Sequence, residues 1–172
     1  SKAIPTNAKV LVTYGGGSIK TNGVYDQVVN ALSEHTWYEF SGIEPNPSYD
    51  TLMKAQNLIR EHNIDFLLAV GGGSVVDGTK FIAAAALFEG DDPWDFVAKG
   101  QPIKQALPIG CVLTLPATGS ESNTGAVVTR DGNKLPFQSS FVRPLFAVLD
   151  PVVTLSLSDR QISNGVVDAF VH

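Results

Sequence analysis

The segment from residue 69 to residue 80 constrains the fold of this chain more than any other stretch. It reads Ala-Val-Gly-Gly-Gly-Ser-Val-Val-Asp-Gly-Thr-Lys and lies between an apolar run at 64–70 and an alanine-rich run at 80–87. This pattern predicts a buried strand over 66–70, a glycine turn, and a helix over 74–87. The turn would place free backbone N–H groups at the positive end of a helix, where phosphate binds. A tight turn that binds nothing has the same pattern, so the segment alone leaves both interpretations open.

Another glycine cluster directly follows the predicted strand at 9–14, which is the first strand of the chain. The cluster consists of Gly15, Gly16, Gly17 and Ser18, and the nearest cationic residue is Lys20. The carboxyl ends of parallel strands meet at one edge of a sheet, where ligands of such folds bind. Two glycine turns at that edge would hold two phosphate-bearing parts of one ligand, which indicates a dinucleotide.

The rest of the chain continues the alternation of strands and helices. Further strands are predicted at 37–40, 109–114 and 145–149, and further helices at 23–32, at 46–62 and from Ser158 onward. Asn46 is the predicted cap of the second helix, and Ser158 with Gln161 forms a capping box for the last. Asp131-Gly132 predicts a hairpin between 126–130 and 134–140. We therefore expect an α/β, Rossmann-like parallel sheet with helices on both faces plus a β-hairpin.

The glycine cluster at 15–18 also bears on which dinucleotide binds. Sites for NAD usually hold the ribose 2′-hydroxyl with an acidic residue after a strand. The stretch 14–20 has no carboxylate, so its small residues leave room for a 2′-phosphate, which Ser18 and Lys20 could bond. Lys134, in the hairpin, is a second cationic candidate for the cofactor, or a solvated turn lysine.

Charge and cysteine content exclude some classes of partner. The net charge of -5, without a Lys/Arg cluster, argues against nucleic acid. The sequence has no apolar run long enough to span a membrane, so no membrane partner is expected. The single cysteine, Cys111, lies in a predicted strand and is expected to be a buried apolar residue, which fits a cytoplasmic location.

Four motifs occur in an order that resembles a known family. They are Gly-Gly-Gly-Ser-x-x-Asp-x-x-Lys at 71–80, Thr-Leu-Pro-Ala-Thr-Gly-Ser-Glu at 114–121, Leu-Asp-Pro at 149–151, and Asp168-x-x-x-His172. Together they resemble the iron-containing (group III) alcohol dehydrogenases, in particular the butanol dehydrogenase and NADPH-dependent aldehyde reductase branch. The resemblance covers only the N-terminal half of that family's usual chain, so we expect this chain to be part of a longer one.

The resemblance implies a reversible hydride transfer between NAD(P)H and a carbonyl. It implies that residues 1–157 form a dinucleotide-binding domain and that 158–172 begin a helical metal-binding domain, which supplies two further histidine ligands. The implied cofactor-binding residues are Gly71, Gly72, Gly73, Ser74, Thr114, Thr118 and, on the nicotinamide side, Asp77, which would also take part in catalysis. Asp168 and His172 would be catalytic metal ligands, and family members are usually dimers or larger.

The metal pair also has support from the residues themselves. Asp168 and His172 lie four residues apart, on one face of a helix, and a carboxylate with an imidazole suits Zn²⁺ or Fe²⁺. An ordinary surface Asp–His pair has the same spacing. We therefore expect NADPH-dependent and metal-dependent reduction of a small aldehyde. A polyol or glycerol-type dehydrogenase, a dehydroquinate-synthase-like enzyme and a non-catalytic nucleotide-binding module remain alternatives.

Overall fold

The computed structural model describes residues 3–171, which form a parallel five-stranded sheet and a separate hairpin. The sheet has the strand order β2-β1-β3-β4-β7, and the hairpin consists of β5 and β6. The strands are β1 (Lys9–Tyr14), β2 (Thr36–Phe40), β3 (Phe66–Gly71), β4 (Ile109–Leu113), β5 (Gly125–Arg130), β6 (Asn133–Gln138) and β7 (Phe146–Leu149). The helices are α1 (Ser18–Thr21), α2 (Val24–Ala31), α3 (Tyr49–His62), α4 (Gly73–Ala86), α5 (Trp94–Ala98) and α6 (Asp159–Val171).

The sheet has an apolar core on each face. Strand β3 is buried along its whole length, and its side chains alternate between the two cores. Leu67 and Ala69 belong to the core formed with α3, α4, α5 and the hairpin. Phe66 and Leu68 belong to the core formed with α2. The predicted α/β, Rossmann-like fold with helices on both faces is therefore confirmed, and Cys111 is a buried, free cysteine as expected.

Local signals placed the hairpin and the last helix correctly. Asp131 and Gly132 both have positive φ, 50° and 76°, as a tight hairpin turn between antiparallel strands requires. The Ser158 hydroxyl accepts a hydrogen bond from the Gln161 N–H at 3.4 Å, and the Gln161 side chain accepts one from the Ser158 N–H at 3.1 Å. This is the predicted capping box, directly before α6.

The predicted start of the second long helix was wrong. Ser48, and not Asn46, is the cap of α3, and its hydroxyl accepts a hydrogen bond from the Thr51 N–H at 3.3 Å. Asn46 has a φ of 55°, and the Pro47 carbonyl accepts a hydrogen bond from Thr129 in β5 at 2.9 Å. Because residues before α3 pair with the hairpin, the helix begins later than its sequence indicates. The short helix α1 and the 3-10 turns at Ser140–Val142 and Pro151–Ser156 were not predicted either.

Helix α6 packs on the rest of the molecule mainly through one glycine. Gly165 is its only buried residue, and a Cβ there would lie 3.1 Å from the Pro116 carbonyl oxygen. The apolar side chains of α6, including Phe170 at 91% exposure, point to solvent. Within residues 3–171, no helix is both long enough and apolar enough to cross a membrane.

Candidate functional site

The two glycine turns lie side by side at the carboxyl edge of the sheet. Strands β1 and β3 are hydrogen-bonded neighbours, and Tyr14, the last residue of β1, pairs with Val70 in β3. Residues 15–18 and 71–74 therefore leave adjacent strands at the same edge, as the sequence predicted. One elongated ligand can lie across both turns, which is the arrangement that a dinucleotide requires.

The second turn presents the N-terminus of α4 to solvent. Gly72 is the N-cap, its backbone is extended, and as a glycine it has no side chain that could cap the helix. A Cβ at Gly73 would lie 2.9 Å from Thr118 Oγ1, so a side chain at this position would displace the loop that covers the turn. Thr114 lies beside the turn, because its N–H donates to the Gly71 carbonyl at 3.0 Å. The first N–H groups of α4 are thus available to an anion in a cleft beside Thr114 and Thr118.

Asp77, one helical turn further along α4, connects the helix to two other segments. Its Oδ1 accepts a short hydrogen bond from the Ser120 hydroxyl, and its Oδ2 accepts one from the Val127 N–H at 3.0 Å. Burial raises the pKa of this carboxyl above its usual value, although these hydrogen bonds and the charge of Lys80 oppose the shift. Asp77 borders a cavity of about 440 Å³ between α4, the loop and the hairpin. The carboxylate therefore holds the loop and hairpin in place while it faces space for a ligand.

No role for Lys80 is evident from the sequence, although the residue belongs to the first motif. Lys80 is fully buried, and its ammonium donates to oxygens of the loop that follows β4. The acceptors are Ser120 Oγ at 3.2 Å, Asn123 O at 3.0 Å, Asn123 Oδ1 at 2.8 Å and Gly125 O at 2.7 Å. Burial lowers the pKa of Lys80 to about 8. Lys80 thus fixes residues 120–125 against α4, on the side of the cavity where Asp77 lies.

We expect Lys80→Met to destabilise the protein at neutral pH and to alter how its stability depends on pH. Without the Lys80 ammonium, its buried acceptors are left unpaired, which lowers the free energy of unfolding by about 3 kcal/mol. Since the folded pKa of about 8 lies below the ordinary 10.5, the unfolded chain binds more protons between these values. The stability of the parent protein therefore gains up to about 3 kcal/mol from this group as pH rises through that window. The variant lacks this gain.

Urea unfolding of parent and variant at pH 7.5 and pH 10 measures both effects. Lys99→Met is the matched control, because the Lys99 side chain is 67% exposed and forms an ion pair with Asp95 of the neighbouring helix α5. A stability difference between parent and Lys80→Met that stays the same at both pH values would contradict the prediction.

The surroundings of the first glycine turn differ from the sequence-based expectation. The stretch 14–20 itself has no carboxylate, but Glu39 from the neighbouring strand β2 lies 3.7 Å from the Lys20 ammonium. Lys20 is therefore paired, and the predicted 2′-phosphate site has a carboxylate beside it that the stretch 14–20 does not contain. No local signal could have revealed this contact, because 19 positions of chain separate the two residues. Ser18 is exposed at the start of α1, and Gly17 directly before it has a φ of 99°.

Lys134 extends from the hairpin toward the segment that precedes α3. Its ammonium donates to Asn46 Oδ1 at 2.7 Å, and the residue is exposed. Lys134 also belongs to the charges that oppose the rise in the pKa of Asp77. The side chain therefore adds positive charge beside the cavity that Asp77 borders.

Asp168 lies on α6 beside the loop that follows β4. It borders an open cavity of about 530 Å³, which is also lined by Leu115 and Ala117 of that loop and by other residues of α6. Leu115 lies next to both Gly72 and Gly165. A Cβ added at Gly72 would be 3.5 Å from Leu115, and one added at Gly165 would be 3.7 Å from it. The predicted partner ligand, His172, lies outside the described residues. Among residues 3–171 no group of three or more His, Cys, Asp and Glu side chains could hold a metal ion.

Comparisons with known proteins agree on one family. The family model for iron-containing alcohol dehydrogenases matches residues 2–151. The NADPH-dependent aldehyde reductase YqhD of Escherichia coli is 62% identical over 98% of this chain. A probable NADH-dependent butanol dehydrogenase of Bacillus subtilis is 49% identical over 98% of it. The chain spans 45% of the length of YqhD and 44% of the Bacillus protein.

A solved structure gives the same result for the fold. The crystal structure of Escherichia coli YqhD superposes with a TM-score of 0.96, at 62% identity, over 99% of this chain and 45% of that one. The relatives thus match this chain over nearly all of its own length and over less than half of theirs.

Proposed function

The chain belongs to the iron-containing alcohol dehydrogenase family, and we propose that it is the cofactor-binding half of an NADPH-dependent enzyme that reduces aldehydes to alcohols. The observation that carries this proposal is the pair of adjacent glycine turns, one of which opens the uncapped N-terminus of α4. An NADPH-dependent aldehyde reductase at 62% identity supports the cofactor and the substrate class. The substrate is a small aldehyde, and the reverse reaction oxidises the alcohol.

In this proposal each turn holds one part of the dinucleotide. Gly71, Gly72, Gly73 and Ser74 bind the pyrophosphate through backbone N–H groups at the positive end of α4. Gly15, Gly16, Gly17 and Ser18 receive the ribose with its 2′-phosphate, and Lys20 supplies the positive charge. Thr114 and Thr118 line the cleft, and Lys134 adds a cation beside the hairpin. Asp77 faces the nicotinamide side, where its hydrogen bonds to Ser120 and Val127 fix the shape of the cavity.

The residues on α6 fit a divalent metal such as Zn²⁺ or Fe²⁺. Asp168 borders an open cavity that Leu115 also lines, and Leu115 lies next to the Gly72 turn. With His172 four positions later in the sequence, the pair would supply two of the ligands, and a catalytic site usually has at least three. A metal bound there would polarise the carbonyl of the aldehyde as a Lewis acid. The chain's own residues bind and orient the dinucleotide next to that position.

The division of the chain follows from the same proposal. Residues 1–157 form the dinucleotide-binding domain, and 158–172 begin a helical domain that supplies the other metal ligands. Two observations support this division: α6 exposes its apolar side chains, and the relatives extend to more than twice the length of this chain. The dimeric state and the cytoplasmic location expected from the sequence remain predictions.

A turnover assay of the complete enzyme tests the proposed function. We expect butanal to cause oxidation of NADPH, measured by the loss of its absorbance. A chelator should abolish this turnover, and added Zn²⁺ or Fe²⁺ should restore it. Binding of NADPH without turnover of any small aldehyde or polyol would instead support the non-catalytic module. Turnover in a metal-free preparation would contradict the metal-dependent mechanism.

A further inference from the structure

We infer that Glu39 sets how strongly the site discriminates between NADPH and NADH, by opposing the charge of Lys20. This inference rests on the proposed function, because it assigns a specificity-determining role within the same dinucleotide site. It is motivated by a group of four side chains beside the first glycine turn, which we call the Glu39 cluster: Tyr14, Lys20, Tyr25 and Glu39.

The cluster converges on one carboxylate oxygen. Glu39 Oε2 accepts hydrogen bonds from the Tyr14 hydroxyl at 3.0 Å and from the Tyr25 hydroxyl at 2.9 Å. The Lys20 ammonium lies 3.7 Å from the same oxygen. The ammonium also lies over the rings of Tyr25 and Tyr14, at 4.6 Å and 5.3 Å from their centroids. The carboxylate is therefore held in place, and so is the cation beside it.

The cluster lies next to the first glycine turn. Tyr14 directly precedes Gly15, and Lys20 lies in α1, which begins directly after Gly17. Strand β2, which carries Glu39, pairs with β1, and Glu39 is opposite Val12. The side chains of Lys20 and Glu39 are 45% and 41% exposed, so a ligand at the turn can reach both charges. The hydrogen bond with Tyr14 and the negative charge of Glu39 raise the pKa of Lys20, so its ammonium stays charged at neutral pH.

Opposite effects on the two dinucleotides follow from these charges. A 2′-phosphate carries about -1.5 to -2 charges at neutral pH, so Lys20 attracts it and Glu39 repels it. A ribose 2′-hydroxyl has no charge and can donate a hydrogen bond to a carboxylate, as in sites that bind NAD. Glu39 therefore weakens the binding of NADPH and favours NADH, whereas Lys20 does the reverse. The balance between these two charges matters because both cofactors occur in the family. The relative at 62% identity is named for NADPH, and the one at 49% identity is named for NADH.

The test measures dissociation constants of both dinucleotides for three variants of the complete enzyme. We expect Glu39→Gln to raise the preference for NADPH over NADH about fivefold, and Lys20→Met to lower it by about the same factor. Both shifts should shrink at high salt, since the exposed charges are screened, whereas a purely structural effect would not depend on salt in this way. Glu34→Gln is the matched control, because Glu34 is exposed before the opposite end of β2 and should leave the preference unchanged.

The possible failures are distinguishable. If the parent enzyme binds neither dinucleotide, the proposed function is wrong. If the parent binds NADPH or NADH but Glu39→Gln leaves their ratio within twofold, or shifts it toward NADH, only the inference about Glu39 is wrong. A ratio that shifts equally in Glu39→Gln and Glu34→Gln also overturns it, because the effect would then come from net charge and not from the Glu39 cluster.

Discussion

We expect Gly72→Val to weaken dinucleotide binding about a hundredfold and to leave the fold intact. The backbone of Gly72 has a φ of -87°, which other residues adopt without strain. A Cβ at this position would meet only Leu115, with its nearest atom at 3.5 Å, an ordinary contact. The ligand-free structure therefore accommodates a side chain. The added methyl groups, however, would occupy the space in front of the first N–H groups of α4, where the proposed function places the pyrophosphate.

The expected loss of affinity is large. Two charge-assisted hydrogen bonds from the backbone to the pyrophosphate are together worth about 3 kcal/mol, so we expect affinity to fall about a hundredfold. Calorimetry with NADPH measures the affinity, and circular dichroism with thermal unfolding measures the fold. Gly73→Val is less informative, because its Cβ would lie 2.9 Å from Thr118 Oγ1 and would displace the loop as well.

Ala98→Val serves as the control for the glycine experiment. Ala98 is exposed at the end of α5, so the same kind of side-chain enlargement should leave both affinity and fold unchanged. A well-folded Gly72→Val protein with the affinity of the parent would remove the second glycine turn from the dinucleotide site.

Asp168→Asn and His172→Ala should each remove the metal and the activity from the complete enzyme. An amide is a weaker ligand than a carboxylate, and alanine offers no ligand atom, so either change leaves a catalytic metal with too few ligands. We expect the metal content to fall from stoichiometric to a small fraction. Aldehyde reduction should fall by about a thousandfold or more, since the polarisation of the carbonyl is lost. Elemental analysis and the NADPH oxidation assay measure the two effects.

The affinity for NADPH separates loss of the metal from loss of the fold. It should stay within a few-fold of the parent value in both variants, because the glycine turns lie on the sheet and not on α6. Asp159→Asn is the control on the same helix, since Asp159 is exposed in its first turn and should keep metal and activity. Full metal content in Asp168→Asn would show that the metal is held elsewhere, and reduction of aldehyde by residues 1–172 alone would show that ligands beyond residue 172 are not needed.

The sequence by itself determined the fold and the position of the glycine turns. The signals were local ones: the alternation of apolar strands with helices of regular period, and the glycines that directly follow β1 and β3. Asp131-Gly132 specified the hairpin, and Ser158 with Gln161 specified the start of α6. Each of these features depends on residues that are close in the chain, so a pattern can reveal it. The roles of the individual site residues and the domain boundary remain predictions.

Only the tertiary structure decided which polar groups meet. Lys80 donates to oxygens that lie 40 to 45 positions further along the chain, and the Asp77 carboxylate accepts from Val127. Glu39 reaches Lys20 because β2 pairs with β1, and the α3 cap moved to Ser48 because Pro47 bonds to the hairpin. A charged or polar side chain carries no mark of its distant partner in the sequence. Strand pairing and helix packing bring the partners together, and burial then makes each contact strong enough to shape the site.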